Sequence, residues 1–251
     1  MSSSLREAAR VDYGLDAPAL VRTFGLGGLA ALLLGASGLL WGISAGNILL
    51  VALGGYLLLC ALLFGGTSLL MLRSSRTGKL RARDQLLDAL HLRGDEHVLD
   101  VGCGHGLLLI GAAKRLPRGR AVGVDTWSQS DQARNSRAAT LANAEAEGVA
   151  ERVDVVDGAM ERMPFADASF DVVVASLAIH NIPAREGRRQ AIGEIVRVLK
   201  PGGKVALLDF RATREYADNL RAAGMVGVHV SDVSFVMYPP VRTVLGIKPG
   251  M

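Results

Sequence analysis

The chain has 251 residues with 28 basic and 24 acidic side chains, a formal net charge of +4, and it is half hydrophobic but only 5% aromatic. Between Arg22 and Arg73 lie 50 residues without one Asp, Glu, Lys or Arg, while the rest is charged at about 26%, the usual share of a soluble domain. These figures exclude a wholly soluble protein, a disordered chain and a transporter made of many spans, and so small a net charge gives no argument for a nucleic-acid partner.

At the front, Ser4-Leu5-Arg6-Glu7 has capping-box spacing and predicts a short helix running to Tyr13-Gly14. Asp16-Ala17-Pro18 predicts a second helix start, with Asp16 as cap and Pro18 in the first turn. Residues 1–22 are therefore expected as a segment at the membrane surface, either an inert lead-in or part of a substrate entrance. The uncharged stretch follows at 23–72. A span needs about 20 apolar residues, so it predicts two transmembrane helices, Phe24–Ile43 and Ile48–Leu72, joined at Ser44-Ala45-Gly46-Asn47 with Trp41 near one interface. A cleaved signal peptide has a far shorter apolar core. Gly38, Gly42 and Gly46 recur every four residues and are expected on one face, where they serve either hairpin packing or a homodimer contact.

Arg73, Arg76, Lys79, Arg81 and Arg83 follow within an acid-free stretch, read as a basic juxtamembrane linker, 73–83. With no Lys or Arg in the turn, the positive-inside tendency puts both termini in the cytoplasm. The expectation is an integral protein of the cell (inner) membrane with a cytoplasmic catalytic domain. The basic cluster serves either as a topology signal alone or also to bind anionic headgroups. Cys60 and Cys103 form no disulfide framework.

In 84–251 the periodicity alternates. A helix through Leu86, Leu87 and Leu90 ends near Arg93-Gly94. Strands are predicted at 97–101, 121–124, 153–156, 172–175, 205–209, 226–230 and 241–247, with helices filling the gaps except before the last strand. The helix Arg185–Leu199 carries Ile192, Ile195, Val196 and Leu199 on one face and is stopped by Pro201-Gly202-Gly203. This pattern predicts an α/β domain with a doubly wound, mostly parallel seven-stranded sheet, an antiparallel end, and a ligand at the carboxyl ends of its strands.

Candidate residues sit at those strand ends. Val101-Gly102-Cys103-Gly104-His105-Gly106 follows the first strand, but Leu107 stands where a dinucleotide fingerprint needs its third glycine. Asp100 with this G-x-G-x-G turn resembles the first motif of class I S-adenosylmethionine-dependent methyltransferases. Further matches follow in order from Leu80 to Lys248: Val122-Gly123-Val124-Asp125, Asp157-Gly158-Ala159-Met160, Met163-Pro164-Phe165, Ser169-Phe170-Asp171-Val172, and Arg197-Val198-Leu199-Lys200-Pro201-Gly202-Gly203.

The resemblance implies a Rossmann-like methyltransferase fold, S-adenosylmethionine as cofactor and S-adenosylhomocysteine as product. It implies that Asp100, Gly102, Cys103 and Gly104 pass the amino-acid end of the cofactor and that Asp125 holds the ribose diol. Thr126 and Trp127 then flank the adenine, Asp157, Gly158, Ala159 and Met160 lie near it, and Ser176 contacts the methionine end. The chain departs from the family at Ala159, where an Asp usually receives the adenine amino group. Either the backbone of Ala159 and Met160 does this, or Asp157 is rotated in.

After the fourth strand, His180 is the candidate general base, since imidazole titrates near neutrality; the alternative is a histidine that bonds its own loop. Asn181 is placed to orient it or the acceptor. His105 reads as a contact near the cofactor carboxylate or as a solvated side chain, and Tyr216, His229 and Tyr238 either reach the pocket from late segments or, the preferred reading, are structural residues. No metal-ligand spacing is present. The expected function is methyl transfer to a small lipophilic acceptor, at oxygen or carbon, at the cytoplasmic membrane face. The rivals are a thiol methylase that needs no base and a cofactor-binding membrane adaptor without catalysis.

Overall fold

The computed structural model of the chain describes residues 11–128 and 135–250. The capping-box sequence Ser4-Leu5-Arg6-Glu7 lies outside these residues. Two compact units form, one of Leu15–Gly78 and the other of Met1–Gly14 with Lys79–Met251.

The first unit is a helical hairpin of α1 (Pro18–Ser44) and α2 (Ile48–Arg73), followed by a π-helical turn, Ser74–Gly78. Helix α1 starts at Pro18, the start predicted from Asp16-Ala17-Pro18, and runs unbroken into the span expected from Phe24, because proline's fixed φ suits a first turn whose N–H groups are unpaired anyway. Residues 18–22 of the expected surface segment are thus helical. Asp16 is not the cap: Ala17 occupies that position at φ 45°, and the Asp16 carboxylate accepts instead from Ser75 Oγ at 3.0 Å. Asn47 does cap α2, its Oδ1 accepting from the backbone N–H groups of Leu49 and Leu50.

The glycine stripe differs from the four-residue one expected. Gly46 lies in the turn at φ 62° with open space around it, and Gly38 is in ordinary contact only. The backbones approach most closely at Gly28, Gly42 and Gly54, where an added Cβ would fall 2.8 Å from Gly65 N, 2.7 Å from Val51 N and 2.6 Å from Leu39 N. Glycine is required where helices meet this closely. Both helices are long and apolar enough to cross a membrane, and only 22% and 6% of their most apolar windows are buried.

In the second unit, α3 (Lys79–Ala89) takes up the later part of the segment read as a linker. Of its basic residues Lys79 is buried and Arg83 half-buried, which leaves Arg73, Arg76 and Arg81 exposed. There follow β1 (His97–Val101), α4 (Leu107–Lys114), β2 (Arg120–Asp125), α5 (Arg137–Ala146), β3 (Val153–Asp157), β4 (Phe170–Ser176), α6 (Arg185–Val198), β5 (Leu199–Asp209), α7 (Thr213–Ala222), β6 (Val226–Val230) and β7 (Arg242–Ile247). The expected helix between β3 and β4 does not form; residues 158–169 make turns.

The sheet runs β3, β2, β1, β4, β5, β7, β6, parallel through β5, with β7 antiparallel to both its neighbours. Strand alternation sends Val98, Val172, Val174, Ala206 and Leu208 to one side, against Leu87, Leu109 and Ile110. Leu99, Val101, Val173, Ala175, Val205 and Leu207 go to the other, against Ile192, Ile195 and Leu220. Pro201-Gly202-Gly203 does not precede the fifth strand but lies within it. The pairing passes from Phe170 with Leu199 to Val172 with Lys204, so the proline and two glycines form a bulge where proline's missing N–H interrupts no ladder.

Residues 11–14 form a strap on this unit and are not helical. Asp12 N donates to Asn143 Oδ1 at 3.0 Å, and its carbonyl accepts from Asn143 Nδ2 at 2.9 Å and pairs with His105 Nδ1 at 3.0 Å. Lys79 Nζ donates to the carbonyls of Tyr13 and Gly14, and Tyr13 OH donates to Glu147. The buried ammonium of Lys79 and the two polar rows of Asp12 and Asn143 are thereby matched donor to acceptor.

Candidate active site

The carboxyl ends of β1 to β5 bring together most of the residues singled out in the sequence. After β1 the chain turns through Gly102, Gly104 and Gly106, all with positive φ (72°, 51° and 84°), angles that L side chains disfavour. The N–H groups of Gly102 and Cys103 donate to Val124 O at 2.8 and 3.2 Å, which pins the turn to β2.

The buried Asp100 carboxylate accepts from Leu109 N at 2.9 Å, at the start of α4. Burial raises its pKa to about 7; the Leu109 N–H opposes this and the Asp125 charge adds to it. The unfolded chain ionises near 3.9, so between the two values the folded state holds a proton that the unfolded state has lost. Stability therefore falls as pH rises from about 4 to about 7 and stays low above. Asp100→Asn keeps an acceptor for Leu109 N and removes the charge. Its thermal midpoint is expected to exceed the parent's above about pH 7, the gap closing as pH falls toward about 4; a gap indifferent to pH would contradict this assignment.

The Cys103 thiol is pushed well up by burial and by the charges of Asp100 and Asp125, so it stays protonated and acts by packing on Gly123 rather than as a nucleophile. Asp125 ends β2 and organises the next loop. Its Oδ2 accepts from Gly104 N at 2.8 Å, and its Oδ1 from Trp127 N at 2.7 Å and from Asn135 Nδ2 at 3.3 Å. Thr126 is exposed, whereas Trp127, at φ 60°, is half-buried and its indole Nε1 donates to Asp157 Oδ1 at 2.7 Å. Asp157 is thus rotated onto Trp127. Gly158 N donates to Asp125 O at 3.0 Å, and Ala159 closes a tight turn by accepting from Arg162 N at 3.1 Å. Met160 reaches toward Gly102.

On the acceptor side, Ser176 ends β4 and pairs with Leu208. His180 sits in a 3₁₀ turn, Ile179–Asn181. Its Nδ1 lies 3.0 Å from Asp209 Oδ1 and 3.2 Å from Oδ2, and its ring stands edge-on to Phe210 at 4.5 Å. Asp209 is 1% exposed, and it also accepts from Tyr216 OH at 3.1 Å and from Phe210 N at 2.8 Å. The burial of Tyr216 and the Asp209 charge raise the phenol's pKa, so Tyr216 remains a donor. Arg188 braces the turn's exit, donating to Ile182 O and Pro183 O and, two-pronged, to Glu215. His180 does not bond its own loop, and Asn181 is exposed.

Asp209 and Tyr216 are the partners joined to His180 that sequence reasoning missed. The signal for Asp209 was present, an acid at a strand's carboxyl end. His105 was misplaced: it is buried and holds the Asp12 carbonyl of the strap. His229 lies on the edge strand β6, beyond β7, and Tyr238 is exposed before Pro239.

The residues on the cofactor side fit a nucleoside. An acidic strand end, a flat indole and a buried acceptor, Asn135 Oδ1, which has no hydrogen-bond partner, lie along one edge. A turn of three left-handed glycines lets backbone come close to a ligand.

Residues 99–207 match the family described as "Methyltransferase domain". Similar curated proteins include a demethylmenaquinone methyltransferase of Lactiplantibacillus plantarum, 33% identical over 51% of this chain and 50% of its own length. A ubiquinone/menaquinone biosynthesis C-methyltransferase of a Ruegeria species is 34% identical over 51% and 48%, and a sterol 4-C-methyltransferase of Caenorhabditis elegans 30% over 52% and 36%. The chain spans about half the length of the first two. Among solved structures, a SAM-dependent methyltransferase from Aquifex aeolicus covers 67% of this chain and 90% of itself at TM-score 0.53 and 19% identity. The cyclase SpnF covers 68% and 82% at TM-score 0.58 and 21% identity. These likenesses establish the methyltransferase fold; a cyclase among them shows that the fold alone does not fix the reaction.

Proposed function

We propose, for a chain whose residues 99–207 match the family described as "Methyltransferase domain", that it moves a methyl group from S-adenosylmethionine to oxygen or carbon of a small lipophilic acceptor. The observation that carries this reading is the Tyr216–Asp209–His180 chain, set in direct contact with the glycine turn through Ala178 and Gly102. When bound, S-adenosylmethionine supplies a methyl group already activated by its sulfonium.

The chain's own residues do the rest. Ionised Asp209 accepts only, so His180 Nδ1 carries the proton and Nε2 presents a lone pair. With that group bound, His180 Nε2 would take the acceptor's proton, and the resulting imidazolium would be balanced by Asp209. Gly102 and Gly104 would admit the cofactor's amino-acid end to the turn, while Asp125 and Trp127 would hold its nucleoside.

Three features support a lipophilic acceptor and a membrane setting. The end of β5 that carries Asp209 pairs with Arg242 at the start of β7, and apolar surface is exposed at Phe210, next to Asp209, and at Val233, Phe235 and Tyr238 in the β6–β7 loop, Phe235 at 81%. Both hairpin helices are candidate spans, which would hold the domain where lipophilic molecules concentrate. The relatives named above are quinone and sterol methylases by name. The exposed Arg73, Arg76 and Arg81 after α2, against an uncharged turn, favour the cytoplasmic face for the domain.

The test is to incubate the purified full chain with methyl-labelled cofactor and a lipid extract. Label is expected in a product that partitions into organic solvent. Label confined to the aqueous phase would remove the lipophilic acceptor, and no binding of S-adenosylhomocysteine would remove the enzyme.

A further inference from the structure

Asn135 precedes α5 and is 5% exposed. Its amide orientation is fixed by its neighbours: Nδ2 faces two acceptors, Asp125 Oδ1 and Ser128 O, each at 3.3 Å, so Oδ1 must point the other way, and there it meets no donor. A buried amide oxygen left unmet costs stability unless a ligand satisfies it.

The lone pairs of Asp125 show which ligand atom that is. A carboxylate offers about four acceptor sites. The N–H groups of Trp127 and Asn135 use both sites on Oδ1, and Gly104 N uses one on Oδ2. One site remains, but a ribose 2′,3′-diol brings two O–H donors. The second hydroxyl needs another acceptor, and Asn135 Oδ1 is buried on a side chain tied to the same carboxylate.

We infer that Asn135 shares the cofactor's ribose diol with Asp125, each residue accepting from one hydroxyl. The inference rests on the methyltransferase reading. It makes Asn135 a cofactor-binding residue, and its Nδ2–H bond to Asp125 also orders the carboxylate that takes the other hydroxyl.

Calorimetric titration of the full chain in detergent micelles with S-adenosylhomocysteine and its 2′-deoxy and 3′-deoxy forms tests this. In the parent, loss of the hydroxyl facing Asn135 is expected to weaken binding about tenfold. Asn135→Leu should bind S-adenosylhomocysteine about tenfold more weakly than the parent does, and that same deoxy form no more weakly still. An Asn135→Leu protein with parental affinity, or one weakened equally for all three ligands, overturns the assignment, the second outcome marking a structural role only. A parent that binds none of the three overturns the methyltransferase reading itself. Should Asn135→Leu fail to fold, a structure of the parent with S-adenosylhomocysteine decides. Asn135 Oδ1 within about 3.2 Å of a ribose oxygen supports the inference, and a ribose held by Asp125 alone overturns it.

Discussion

His180→Ala is expected to lower kcat for an oxygen or carbon acceptor by 10²- to 10⁴-fold, the range a positioned general base contributes, while leaving the affinity for S-adenosylhomocysteine within about twofold of the parent's. The separation follows from position: His180 bonds Asp209, not the glycine turn or Asp125. Asp209→Asn should reproduce most of the loss. An amide can donate to Nδ1, which would drive the proton to Nε2, the atom that has to accept. Tyr216→Phe removes one of the hydrogen bonds to Asp209 and is expected to cost less than either. Radiolabel turnover over a range of pH reads all three. Undiminished turnover in His180→Ala would assign the protein to acceptors that need no base, such as thiols.

Gly102→Ala should all but abolish cofactor binding, by more than about 10²-fold, for two additive reasons. Its φ of 72° lies in the left-handed region, which costs a non-glycine residue about 1–2 kcal/mol. A Cβ there would also fall 2.5 Å from the Cβ of Ala178, far inside van der Waals contact, so the glycine turn and the turn bearing His180 would be forced apart. Ala178→Gly in the same protein removes the collision but not the backbone strain, so it should recover part of the affinity. Titration with S-adenosylhomocysteine measures both; a Gly102→Ala protein with near-parental affinity would show that the turn does not hold the cofactor.

The strands were legible because each is a short apolar run, with Gly or Asp closing or following β1, β2, β3 and β5, and the sheet's two faces follow from their alternation. Helix α2 was legible for the same reason, its apolar stretch ending at a basic residue. Elements whose limits are set by something other than hydropathy were harder to see. The helix start at Pro18 was readable but its continuity with the apolar span was not, the π-turn and α3 occupy a stretch that looks like a linker by charge, and the Pro201-Gly202-Gly203 bulge looks like a stop signal yet lies inside β5.

At the site, residues on their own motif were readable, and those joined across the chain were not. Asp209 is 29 residues from His180 and Asp12 is 93 from His105; no periodicity relates such pairs, and only the sheet order brings them together. The close-packed glycines of the hairpin were missed because Gly54's significance depends on which residue of α1 stands opposite.

The strap at 11–14 changes what counts as the front of the α/β unit. Because the Gly14 carbonyl takes a hydrogen bond from Lys79, the two ends of the apolar hairpin leave the catalytic unit at nearly the same point, which makes the hairpin an insertion into that unit rather than a leader attached to it. A soluble version cut to begin at residue 79 would therefore deprive Lys79, His105 and Asn143 of the partners that the strap supplies. Excising 15–78 and closing Gly14 to Lys79 through a short linker would keep them, so removing the hairpin is a problem of loop closure, not of truncation.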